Sequence, residues 1–196
     1  MEFRASPISP TPAIARILAG AMACMLAIGA AWAKPSDVTD PEAPRSLPAD
    51  GPVDVRWTDP AQFTEILRSG NRREARRGDW VHDLAEYLRK RASDRLPDGQ
   101  RLDVTITDIK RAGNYEPGRG IGADSIRFMR DVYPPRITLD FKLVGADGSV
   151  IAQGTRELSD IAYLQRGSPL NDSDQLRYEK RLIDDWLRKE FREPAA

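Results

Sequence analysis

The chain has 196 residues, of which 30 are basic and 30 acidic, with one histidine and one cysteine. A net charge of zero gives no overall attraction to nucleic acid or to anionic membranes. One histidine and one cysteine exclude any intrachain metal site that needs two of either.

Arg4 and Arg16 precede an uncharged apolar run from Ile17 to Gly29, which leads into Ala31-Trp32-Ala33. A basic leader, an apolar core of about 13 residues and a small-x-small exit form the pattern of a secretory signal peptide. The run is shorter than the roughly 20 apolar residues that span a bilayer, so no transmembrane segment is expected in the mature chain. Residues 1–33 are therefore expected to be removed, and the chain from Lys34 to work in the periplasm. Lipidation of Cys24 is the weaker alternative, because Ala21-Met22-Ala23 lacks the leucine-like residue wanted three positions before the cysteine. A chain cut after Ala33 holds no cysteine, hence no disulfide and no thiol chemistry. Losing Glu2, Arg4 and Arg16 leaves 28 basic and 29 acidic residues on 163, a length suited to one domain.

Residues 34–52 carry Pro35, Pro41, Pro44, Pro48 and Pro52 and are expected to form a proline-rich linker, an extended tether to a single domain over 53–196. Val53-Asp54-Val55-Arg56-Trp57 alternates like a half-buried strand. Asp59-Pro60-Ala61-Gln62 is a helix start for Phe63, Ile66 and Leu67. The 3.6-residue period of Trp80, Val81, Leu84, Tyr87, Leu88 and Ala92 predicts a helix from about Arg73 to Arg95. Leu102, Val104 and Ile106 mark a second strand, and the glycine-rich stretch 109–124 a long loop. Further strands are expected over 126–132, 137–143 and 149–158, mutually antiparallel, with a hairpin at Gly145-Ala146-Asp147-Gly148. A last helix, from near Asp172, collects Leu176, Leu182, Ile183, Trp186, Leu187 and Phe191 on one face. Its other face offers Arg181–Asp185 and Asp184–Arg188 as i,i+4 ion pairs. The expected class is α+β: an open, largely antiparallel sheet of four to five strands with two or three helices packed on one face.

No complete catalytic set is visible. Asp79, His82 and Glu86 share a helical stripe, but it lies opposite the apolar side and reads as solvated surface. Gly-x-Ser-x-Gly is absent, and Ser125 and Ser159 sit beside Asp124 and Asp160 as turn residues. Gly118-Arg119-Gly120-Ile121-Gly122 lacks the strand-before, helix-after context of a phosphate loop. Paired carboxylates could come from Glu157, Asp160 or Asp108, and a small hydrolase using acidic residues near the 109–124 loop is the alternative function. The leading reading is a non-catalytic binding or envelope-associated module without cofactor or metal. Arg72, Arg73, Arg76 and Arg77 form the densest basic segment, set against a helix N-terminus that disfavours them, and are the candidate anion contact. The expected partner is an envelope component or a protein, not nucleic acid.

Val55-Arg56-Trp57 with Asp59-Pro60 and Phe63-Thr64, Thr107-Asp108-Ile109 with Ala112-Gly113, and Arg130-Asp131 recur in a particular order with further motifs. These are Pro134-Pro135-Arg136-Ile137, Leu158-Ser159-Asp160, and Tyr178-Glu179-Lys180 ahead of Asp185-Trp186. In that order the chain resembles a family of uncharacterised secreted proteobacterial proteins, a domain of unknown function. The resemblance implies a Gram-negative periplasmic setting and no particular activity.

The leader makes one prediction. N-terminal sequencing of the exported protein is expected to begin at Lys34; a start elsewhere, or a lipid on Cys24, contradicts it.

Overall fold

In the computed structural model, which describes residues 36–120, 122–166 and 173–191, Val53-Asp54-Val55-Arg56-Trp57 forms β1 (Val53–Trp57) with Val53, Val55 and Trp57 buried. The expected signal peptide with Cys24, the expected mature start at Lys34 and the expected helix start at Asp172 lie outside the described residues. β1 runs parallel to β2 (Arg101–Lys110), with Val55 opposite Val104. A parallel pair needs a crossover, and residues 58–100 supply it as α1 (Thr64–Leu67), α2 (Arg72–Arg76) and α3 (Trp80–Ser93). β2 pairs antiparallel with β5 (Arg136–Val144), and β5 with β6 (Val150–Ser159), giving the order β1-β2-β5-β6. Before β5, the two-residue strands β3 (Asn114–Tyr115) and β4 (Arg127–Phe128) make a separate antiparallel ribbon. α4 (Arg177–Glu190) follows β6.

The architecture is the expected α+β with an open sheet. Val55, Val104, Leu139 and Phe141 from the sheet share one core with Leu84 and Leu88 of α3 and Ile183 and Leu187 of α4. The opposite side alternates Asp54, Asp103, Thr105 and Asp140, as a sheet with one covered face should. The sheet is mixed, because β1 joins it in parallel.

Four local expectations are corrected. The helix expected over 73–95 is two helices, broken where Gly78 takes a φ of 92° that a side chain disfavours. The break is held by the chain before it: Val38 N–H donates to Arg76 O at 2.9 Å and Gly78 N–H to Ser36 O at 2.9 Å. Hence the described part of the proline-rich segment is no free tether. Val38 and Leu47 are buried in the core, and Leu47 N–H donates to Val55 O at 3.0 Å along the edge of β1. β2 runs past Ile106 to Lys110 because a bulge between Ile106 and Asp108 inserts one residue. That insertion shifts the alternation and returns Ile109 to the core. The strand expected over 126–132 shrinks to β4, since Ile126 and Val132 are exposed and have no face to bury.

Neither i,i+4 ion pair expected along α4 forms: Arg188 pairs with Asp185 at i,i+3, and Arg181 and Asp184 are taken by other elements. Arg181 is buried and donates to Asp160 Oδ2 and Tyr163 O, both at 2.9 Å. Asp184 accepts from Tyr87 Oη at 2.7 Å and Arg91 Nε at 2.8 Å, which ties α4 to α3.

Trp186 sits 3% exposed against Phe141, ring centroids 5.8 Å apart and edge-on. Trp186→Ala is therefore expected to cost about 3–5 kcal/mol, the range for removing a large buried aromatic. Denaturant titration checks it; a loss below about 1 kcal/mol would mean that α4 does not close the core.

Candidate functional site

Asp108, brought round by the bulge in β2, accepts from the Thr64 backbone N–H and hydroxyl, each at 2.6 Å. That caps the one-turn helix α1 and turns the next residue, Glu65, inward, where it is 1% exposed. Glu65 Oε2 accepts from Lys110 Nζ and from Arg111 N–H, both at 3.1 Å, and Oε1 accepts from Arg127. Lys110 Nζ also donates to Arg111 O and Gly113 O at 2.8 Å, so all three of its protons are used. From α4, Glu179 Oε1 accepts from Ala112 N–H at 2.6 Å. Gly113 completes the corner at a φ of 73°, where a Cβ would meet Phe128 O at 2.7 Å. Two buried carboxylates from two helices thus fix the backbone of residues 111–113.

The corner presents Arg111. Its side chain is 7% exposed, and its Cζ lies 5.4 Å from the centre of the Trp80 ring. Its Nε finds no hydrogen-bond partner among the described residues, and no ion pair there engages its guanidinium. Arg127 lies nearby, stacked 4.6 Å from the Tyr115 ring centre and paired with Glu65. The set counts three cations, Lys110, Arg111 and Arg127, against two carboxylates, Glu65 and Glu179. Burial lowers the Arg111 pKa, and the charge of Arg127 adds to this, against the pull of Glu179 and Glu65. Burial likewise lowers the Lys110 pKa against the pull of Glu65. At Arg127 burial also opposes the charge, but Glu65 outweighs it and the pKa is raised. Glu179 is raised by burial, with Arg111 opposing, and its Oε2 is unpartnered among the described residues.

Arg111 opens into a cleft of two adjoining cavities. One, of about 530 Å³, is lined by Arg77, Arg111, Tyr115, Arg127 and Arg177, with Glu74, Ser125 and Met129. The other, of about 560 Å³, lies along α3 and is lined by Trp80, Asp79, Asp83, Glu86 and Tyr87, with Lys180 and Asp174 from the α4 side. Arg77, Gly78, Arg111 and Gln175 border both. Each is in the size range of small-ligand sites, far above the roughly 30 Å³ share of one water.

Of the basic cluster read from the sequence, Arg77 borders the cleft, 3.6 Å from Glu74. Arg72, Arg73 and Arg76 are exposed on α2 and line neither cavity. The acids considered for hydrolysis do not converge: Asp108 caps α1, Asp160 pairs with Arg181, and Glu157 is exposed on β6. His82 lies 4.0 Å from Glu86, and no group of three metal-ligating side chains occurs among the described residues. Gly118, Gly120 and Gly122 all take positive φ in an open turn, where Asp124 Oδ1 accepts from Gly118 N–H at 3.3 Å. Ile121 lies outside the described residues.

A family model described as "Protein of unknown function (DUF3016)" matches residues 51–189. The chain belongs to this family. The match covers the whole Glu65–Arg111–Glu179 corner and both cavities, so the candidate site is part of the family domain. No curated protein matches the chain.

Sequence reading missed Arg111, Arg127 and Arg177. Two adjacent cations straight after the apolar alternation of β2 were the available signal, but a stretch read as loop makes cations look solvated.

Glu179 gives a pH prediction. Its raised pKa means that the native state holds the proton more tightly than the unfolded chain. Wild-type stability then falls as pH rises above the ordinary glutamate value of 4.5, while Glu179→Gln does not titrate there. The variant should gain on wild type as pH rises above 4.5 in urea denaturation; a flat difference contradicts the assignment.

Proposed function

We propose that the chain is an exported, non-catalytic binding protein of the cell envelope. Its ligand presents an anionic group to Arg111, with Arg127 beside it and Arg77 and Arg177 at the rim. The observation that carries this reading is the Arg111 guanidinium, buried yet without an ion pair among the described residues. A buried charge is normally paired, because desolvation costs several kcal/mol per ion. Here three cations face two carboxylates, and raising the pKa of one of those carboxylates deepens the deficit. An anion in the cleft balances the set. Arginine suits the task, since its planar fork meets carboxylate or phosphate through paired, charge-assisted hydrogen bonds.

Export rests on the leader at residues 1–33, and no helix among the described residues is long and apolar enough to cross a membrane. The exposed Arg72, Arg73 and Arg76 are assigned a supporting role. They attract anions toward Arg77 and the cleft over the 8–10 Å or so that salt leaves unscreened.

The test is calorimetric titration of acetate, sulfate and inorganic phosphate into wild type and Arg111→Met. The variant is expected to lose at least about tenfold in affinity for the best anion, the loss of one or two charge-assisted hydrogen bonds. It is also expected to be as stable as wild type without ligand, because it removes an unpaired buried charge and keeps the contact with Trp80. Unchanged anion affinity, or a ligand-free loss above about 2 kcal/mol, would make Arg111 a structural residue and end the reading. Changing Arg72, Arg73 and Arg76 to Gln should weaken binding only at low salt.

A further inference from the structure

The two cavities that meet at Arg111 differ in charge balance, cations prevailing in one and carboxylates matching them in the other, and this restricts what the cleft accepts. On the Arg127 side, Arg77, Arg111, Arg127 and Arg177 face a single carboxylate, Glu74. On the α3 side, beyond the shared Arg77 and Arg111, Lys90 and Lys180 face four carboxylates: Asp174, and Asp79, Asp83 and Glu86, which follow one another along the helix face at i, i+4 and i+7. Neither the Asp79 nor the Asp83 carboxylate makes a hydrogen bond or ion pair with any described residue, and Asp79 leaves its helix uncapped. Of the two lysines, Lys180 is engaged. Lys180 donates to Asp174 at 2.7 Å and lies 5.3 Å from the Tyr87 ring centre. Partial burial raises the Asp83 pKa and the charge of Asp79 adds to it, while His82 and Lys180 act against the rise and Glu86 with it. The aromatic rings of Trp80 and Tyr87 border the same cavity, and each already carries a cation of the chain, Arg111 over Trp80 and Lys180 over Tyr87.

A polyanion running through the cleft would leave the arginines and meet Asp79, Asp83 and Glu86 in succession, with only Lys90 and the already engaged Lys180 to offset them, a repulsion that electrostatic complementarity disfavours. A single small anion would fill one end of one cavity. Building on the anion reading above, we infer that the ligand is dipolar. It is a molecule of the peptide or amino-acid class, with its carboxylate on Arg111 and Arg127 and an ammonium group against Asp79 and Asp83. Arg111 sits at the junction of the two halves, so the carboxylate binds there and the chain of the ligand extends along α3.

The probes are ω-amino carboxylates from β-alanine to aminooctanoate, titrated beside alkyl carboxylates of matched length and inorganic phosphate. At one length the amine is expected to tighten binding at least about tenfold over its alkyl partner. In Asp79→Asn/Asp83→Asn that advantage disappears while the alkyl carboxylates bind as before. Asp83→Lys should reverse the preference toward linear dicarboxylates. Asp79 precedes α3 and Asp83 lies on its first turn, both at the surface and neither carboxylate bonded to a described residue, so the variants are expected to fold, which circular dichroism checks. Alkyl carboxylates or phosphate that bind through Arg111, with no gain from the amine at any length, overturn the dipolar assignment and leave the anion site standing. No binding of phosphate or of either series overturns both.

Discussion

Glu65 is the side chain on which the arrangement of the site depends. One carboxylate, 1% exposed, takes the Lys110 ammonium, the Arg111 backbone N–H and the Arg127 guanidinium at once. It thereby ties α1, the end of β2 and β4 together at a point where the backbone leaves the sheet. Burying a carboxylate is costly, and only this number of charge-assisted bonds offsets the desolvation. Removing it would strand two cations in a dry interior, the situation that destabilises most when one partner of a buried pair is lost. Glu179 performs a smaller version of the same task from α4, through the Ala112 N–H.

With the corner fixed from both sides, Arg111 has no freedom to seek a partner elsewhere. Its backbone N–H is held by Glu65, its carbonyl by Lys110, and its guanidinium lies against Trp80. The fold therefore holds a cation in a partly dry setting, where its interactions with a bound group are stronger than at a water-covered surface. Sites of this kind are built at a cost to the empty fold. The rest of the molecule supports that cost conventionally, with a sheet face and two long helices sharing one apolar core. A second buried ion pair, Arg181 with Asp160, docks the turn after β6 onto α4 without facing either cavity.

The proline-rich segment illustrates how tertiary structure overrides composition. Five prolines between residues 35 and 52 prevent regular ladders. They do not prevent burial of Val38 and Leu47, nor isolated bridges to Arg77 and Arg56. The segment covers the free edge of β1 and supports the break between α2 and α3, which sets Gly78 and Arg77 at the mouth of the cleft. Burial of one apolar residue in each half of the segment is enough to dock it.

The sequence by itself determined the elements whose signal is periodic, β1, the core of β2, β5, α3 and α4, and also β6 through the hairpin signal Gly145-Ala146-Asp147-Gly148 before it. Each periodic element repeats apolar residues at 2.0 or 3.6 positions over a run long enough to read. It also carried the α+β class, since alternation and helical periodicity occur in separate stretches. What only the tertiary structure decided are features set by single residues or by distant partners. The bulge at Thr107 moves Ile109 by one position and has no compositional mark. The pairing of Glu65 with Lys110 spans 45 residues of sequence, and that of Glu179 with Ala112 spans 67. A cation in a sequence reads as solvated because most are. Arg111 departs from that rule only because two carboxylates from remote helices draw its backbone inside, and no local pattern records the meeting.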